Sequence, residues 1–184
     1  SVNNRKVTRN GNRCSYAAPH GAYPCLGQDR WCVIAVFADE EWQAFCHVIG
    51  DVKWTKEPRF ATLLGRKKHE DELDKLIARW TVNFTAEEVM SKIQEAGVAA
   101  GVVKSNKDVF EDPQLQHRGH FVTLNHPEIG LHCYDSTGFR LSKTPGKPRM
   151  PAPCLGEQSE YFCTEVLGIS DEEFIKLLAQ GVFE

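Results

Sequence analysis

The segment Pro19-His20-Gly21-Ala22-Tyr23-Pro24-Cys25 sets a titratable ring, a flexible glycine, a phenol and a thiol between two prolines. Proline stiffens a chain, and glycine lets a backbone approach a ligand closely. The spacing therefore fits a loop lining a ligand cleft, with His20, Gly21 and Tyr23 as candidate substrate-binding residues. An ordered turn feeding the strand that follows is the structural alternative. Cys25 acts as a nucleophile only with a base and a lowered pKa, and His20 is the candidate base in the same loop. Asp112-Pro113-Gln114-Leu115 followed by Arg118-Gly119 offers an arginine for anion binding, against the alternative of a turn with Arg118 in a salt bridge. The acids of Asp39-Glu40-Glu41 and Glu172-Glu173 sit at helix starts, where the macrodipole favours them without any catalytic role. There is no Walker loop, dinucleotide-binding glycine fingerprint, HExxH or GxSxG.

Composition narrows the classes further. The 184 residues are 41% hydrophobic, enough for one domain or two small lobes. The longest apolar run, residues 33–38, is strand-sized, far short of the about 20 residues a membrane helix needs. A net charge of -3 gives nucleic acid nothing to bind, and Arg66-Lys67-Lys68 reads as a solvated helix start. Seven cysteines without CxxC spacing read as reduced thiols of a cytoplasmic protein. No metal site is expected, since His117 and His120 have no cysteine nearby in sequence. The chain opens on Ser1 in unpatterned sequence without a targeting segment, and reads as a piece of something longer.

The elements that position these residues follow from periodicity. Residues 1–28, rich in Gly and Pro, read as an extended loop lining a cleft, and 31–37 as a strand with a buried centre. Asp39 caps a helix carrying Trp42, Phe45, Cys46 and Ile49 on one face, ended by Gly50. Residues 51–65 read as loop, and 70–80 as a helix with the stripe Leu73, Leu76, Ile77 and Trp80. Thr85-Ala86-Glu87-Glu88 is a capping box that opens a helix closed by Gly97. A buried strand over 98–103 and partial helix over 106–116, broken at Pro113, come next. A hairpin turns at 127–130, residues 142–156 cross the surface, and two helices finish the chain, the last with Phe174, Leu177 and Leu178 inward. The fold class is α/β. A small α/β domain over 29–104, with a short sheet and flanking helices, is followed by a return segment over 105–184 with hairpin and terminal helices.

The order of segments resembles the class III CoA-transferase family. It runs through Gly11-Asn12-Arg13, Pro19-His20-Gly21-Ala22-Tyr23-Pro24-Cys25, Asp29-Arg30-Trp31, Asp39-Glu40-Glu41-Trp42 and Arg59-Phe60-Ala61-Thr62. It continues in Glu95-Ala96-Gly97-Val98, Asp112-Pro113-Gln114-Leu115, Arg118-Gly119-His120-Phe121, Arg140-Leu141-Ser142-Lys143-Thr144-Pro145 and Ala152-Pro153-Cys154-Leu155-Gly156. Formyl-CoA transferases carry a glycine run where this chain has Cys14-Ser15-Tyr16-Ala17-Ala18, so the likeness is to the broader transferase and racemase members. The resemblance implies the C-terminal half of a subunit whose other half is a Rossmann-like large domain, two subunits interlocking as a homodimer. It implies substrates that are an acyl-CoA and a carboxylic acid, with coenzyme A thioester as substrate rather than cofactor. It places the nucleophilic aspartate in the large domain, so no catalytic residue is assigned here. The alternatives are a fragment of an α-methylacyl-CoA racemase and a non-catalytic dimerisation module. The apolar positions Phe162, Val166, Phe174, Leu177 and Leu178 are expected to need a covering partner.

Overall fold

The computed structural model describes residues 8–183. They divide into two units, the first running to Lys104 and the second starting at Ser105.

The first unit is built on a three-stranded antiparallel sheet in the order β1-β2-β3. Its strands are β1 (His20–Pro24), β2 (Trp31–Ala35) and β3 (Ala99–Val103). His20 faces Ala35 across the first pair, and Ala35 faces Ala99 across the second. Residues 20–24 form a strand where their composition reads as loop. An edge strand tolerates proline at its end because one side of it has no partner to bond. Pro24 occupies that end.

Four helices lie between β2 and β3 in the chain: α1 (Asp39–Ile49), α2 (Leu63–Lys68), α3 (Glu70–Thr81) and α4 (Ala86–Glu95). Strand side chains alternate between faces. Tyr23, Cys32 and Ile34 point into a core with Phe45, Leu73, Ile77, Val89 and Ile93, while Trp31, Val33 and Val103 are exposed on the opposite face. The strand with a buried centre over 31–37 and the buried strand expected over 98–103 thus have one open side. The capping box is formed: Glu88 N–H donates to Thr85 Oγ1 at 3.2 Å, and Thr85 N–H donates to Glu88 Oε2 at 2.8 Å.

Two expectations about charged residues are also corrected. Asp39 is the first helical residue rather than the cap, and Glu41 Oε2 instead accepts from the N–H of Phe37 at 2.6 Å and of Ala38 at 3.3 Å. Arg66, read as part of a solvated run, is 0% exposed. Its Nε donates to Ala18 O at 2.8 Å, Nη1 to Phe60 O at 3.2 Å and Nη2 to Asp39 Oδ1 at 2.9 Å. The guanidinium lies 4.8 Å from the Trp42 ring centre. Partners for its donors and an aromatic face are what make burying the charge tolerable.

The second unit begins with α5 (Asn106–Phe110) and α6 (Pro113–Arg118). Pro113 opens α6, where a missing N–H costs nothing, and Asp112 Oδ1 accepts from Leu115 N–H at 2.9 Å. The hairpin pairs β4 (Phe121–His126) with β5 (Gly130–Asp135). The chain ends in α7 (Ser159–Tyr161), a π-helical turn over Phe162–Val166, and α8 (Asp171–Ala179) capped by Ser170. Phe162, Val166 and Leu178 are exposed, so Leu178 does not point inward within its own unit, whereas Phe174 packs on Phe183. No helix of the described residues is long and apolar enough to cross a membrane.

Candidate functional site

His20 stands at the start of the edge strand, on the open side of the sheet. Its Nδ1 is hydrogen-bonded to the Asn12 carbonyl, and its ring meets Phe37 edge-on with centroids 6.0 Å apart. A carbonyl can only accept, so Nδ1 carries the proton and Nε2 keeps its lone pair in the neutral ring. Nε2 has no hydrogen-bond partner among the described residues, which leaves it available to a ligand.

Two hollows meet at this histidine. One, of about 420 Å³, lies on the open apolar face and is lined by His20, Gly21, Val33, Ala35, Ala99 and Gly101. The other, of about 360 Å³, follows the edge of β1 and takes in Asn12, Arg13, His20, Gly21, Tyr23 and Asp74. His20, Gly21 and Tyr23 thus share the edge hollow, but their chemistry differs. Odd spacing puts the His20 and Tyr23 side chains on opposite faces. Tyr23 is 2% exposed and donates from its hydroxyl to Asp74 Oδ1 at 2.7 Å. Burial and the neighbouring Asp74 charge push its phenol far above the ordinary value, so it stays neutral. A Cβ at Gly21 would stand 3.2 Å from Tyr23 Oη, so the glycine lets that ring lie against the strand.

Sequence does not single out Asp74, and offers Arg13 only within the Gly11-Asn12-Arg13 segment, because their meeting with Tyr23 depends on α3 packing against β1. Arg13 pairs with Asp71 and lies 3.7 Å from Asp74 and 3.6 Å from Glu70. Burial raises the Asp74 carboxyl above its ordinary value, while the bond from Tyr23 holds it down. A raised folded-state pKa contributes stability below the ordinary value of 3.8, which is lost as pH rises through the folded value. Tyr23→Phe removes the bond that stabilises the ionised form. We expect it to cost about 1–2 kcal/mol at neutral pH, discounted because the carboxylate is 33% exposed, and clearly less below pH 3.8. Urea unfolding at the two pH values checks this, and an equal cost at both would contradict it.

The remaining candidates separate. Cys25 is buried, its Sγ bonds to Tyr23 O at 3.6 Å, and burial pushes its thiol upward, the wrong direction for a nucleophile. Arg118 makes no salt bridge among the described residues and donates instead to Gly138 O at 3.0 Å. No group of three His, Cys, Asp or Glu among the described residues is arranged to hold a metal.

The model of CoA-transferase family III matches residues 1–159. A probable CoA-transferase of Mycobacterium tuberculosis is 36% identical over 166 residues, covering 89% of this chain and 21% of that protein. The succinyl-CoA–D-citramalate CoA-transferase of Chloroflexus aurantiacus is 33% identical, covering 95% of this chain and 43% of its own length. The crystal structure of a CAIB/BAIF family protein from Brucella suis overlays with a TM-score of 0.74 at 23% identity, covering 90% of this chain and 42% of that one. The chain spans less than half the length of each of these proteins. With the family model matched over most of its length, the chain belongs to CoA-transferase family III.

Proposed function

We propose that this chain is the small domain and C-terminal segment of a CoA-transferase that moves CoA from an acyl-CoA to a carboxylic acid, with the nucleophile outside these residues. The observation that carries the reading is the family match over residues 1–159 in a chain whose aspartates all have structural surroundings. Asp29 accepts from Trp31, Asp39 from Arg66, Asp71 from Arg13 and Asp74 from Tyr23. Asp51 lies against His47, Asp108 completes the capping box of Ser105, Asp112 caps α6, Asp135 lies 3.9 Å from His120, and Asp171 opens α8.

The reaction that the family resemblance implies needs only a carboxylate and two acids. An aspartate of the large domain attacks the thioester carbonyl and expels CoA thiolate, leaving a mixed anhydride. The thiolate attacks the aspartyl carbonyl, releases the donor acid and forms an enzyme-bound CoA thioester. The acceptor carboxylate then attacks that thioester and expels thiolate, which takes the acceptor acyl group and frees the aspartate. Each step exchanges one acyl bond for another, so no redox group is required. In this scheme His20, Gly21 and Tyr23 border the substrate cleft. His20 Nε2, without a hydrogen-bond partner among the described residues, is open to the substrate, and Tyr23 holds the strand through Asp74.

The open apolar side of the sheet, with Trp31, Val33 and Val103, supports packing against a large domain and within a homodimer. The test is to ask which carboxylate an acyl-CoA acylates. Hydroxylamine trapping on this chain alone is expected to leave every carboxylate unmodified.

A further inference from the structure

The second unit holds a cleft of about 740 Å³ between the end of α6, the hairpin and the loop over 136–147. Arg118, Arg140, Lys147 and the exposed ring of Phe139 line it. The two arginines are cross-braced. Arg118 Nη2 donates to Gly138 O at 3.0 Å, and Arg140 Nη2 donates to His117 O at 3.0 Å. Each guanidinium is therefore tied to backbone within two residues of the other, which brings both arginines to the same part of the cleft.

A guanidinium has five N–H donors, and the brace takes only one from each arginine. Among the described residues no carboxylate forms an ion pair with Arg118, Arg140 or Lys147. Residues 136–156 contain Arg140, Lys143, Lys147 and Arg149 and no Asp or Glu, and Asp135, which precedes them, lies 3.9 Å from His120. Like charges gathered without a counter-charge repel, and an oxyanion would relieve that repulsion. Planar guanidinium forks match phosphoryl oxygens two at a time, and lysine adds a movable third charge. An exposed aromatic ring beside such a site offers a stacking face to a base.

We propose that this cleft binds a phosphoryl oxyanion, carried by a nucleotide-type phosphate ester or present as free phosphate. The proposal needs no assumption about which reaction the family member catalyses.

The test is calorimetric titration of the 184-residue chain at low salt with ADP and, separately, with pyrophosphate. Saturable binding is expected, weakening as salt rises. Arg118→Gln with Arg140→Gln is expected to weaken it at least about tenfold, the loss of charge-assisted hydrogen bonds. Lys147 makes no hydrogen bond or ion pair among the described residues, so Lys147→Glu keeps the fold and reads the site even if the arginine variant does not fold. It is expected to weaken binding by about tenfold as well, because it reverses a charge at the site. ADP binding more tightly than pyrophosphate, with the difference lost in Phe139→Ala, identifies the ester as ligand. Equal affinities that still fall in the charge variants identify free phosphate. No saturable binding of either probe, or affinities unchanged by Lys147→Glu, overturns the proposal.

Discussion

Arg66→Ala is expected to lower the unfolding free energy of the first unit by about 3–5 kcal/mol, a large part of the stability of a domain this size. The side chain is fully buried and serves two backbone carbonyls, Ala18 O and Phe60 O. Truncation strands both acceptors, and an unsatisfied buried polar group costs about 1–3 kcal/mol. It also empties the space over the Trp42 ring. The ion pair is the smaller part, because the Asp39 carboxylate is 60% exposed and water can replace its partner. Asp39→Asn is therefore expected to cost about 1 kcal/mol or less. Urea unfolding of the two variants separates the contributions, and equal costs would mean that charge pairing rather than carbonyl satisfaction dominates. Ala18 leads directly into β1, so Arg66→Ala is also expected to loosen the segment that carries His20.

Gly65→Ala is expected to destabilise by about 2–3 kcal/mol, the range for forcing a methyl into filled space. A Cβ at Gly65 would collide with the Arg59 backbone carbonyl and stand 3.3 Å from Thr62 Oγ1. The colliding group is backbone and cannot rotate away. It belongs to the turn Pro58–Phe60, whose Phe60 ring is fully buried and whose last carbonyl accepts from Arg66. Helix propensity alone favours alanine over glycine by about 1 kcal/mol, so the sign of the effect is informative. A stabilised variant in urea unfolding would show that the turn gives way freely, contrary to the close packing of α2 on it.

What was legible in the sequence is what neighbours in the chain determine. The Thr85–Glu88 box closes within four residues, and the α3 stripe repeats every turn. The helix break at Pro113 and the β4–β5 hairpin follow from the same local rules, although Pro113 also opens α6. What was not legible depends on partners far away. Arg66 looks like any surface cation until Ala18, 48 residues earlier, and Asp39, 27 residues earlier, fold against it. Strand β1 reads as loop because Gly21, Pro24 and the preceding Pro19 carry no strand signal, and pairing with β2 makes it a strand. His20, Gly21 and Tyr23 do line one hollow, but the buried hydroxyl of Tyr23 is committed to Asp74, which only the packing of α3 on β1 brings near.

The proposed function makes a specific chemical claim: the group that becomes acylated lies outside these residues. The most direct measurement is hydroxylamine trapping after incubation with acyl-CoA esters, read by intact and peptide mass spectrometry. It is made on this chain alone and on the same chain joined to its large domain. The account expects a hydroxamate on an aspartate of the large domain in the joined protein and no modification of the chain alone. A hydroxamate on any aspartate or glutamate of the chain alone would contradict the account and name a nucleophile among residues assigned here to structural roles.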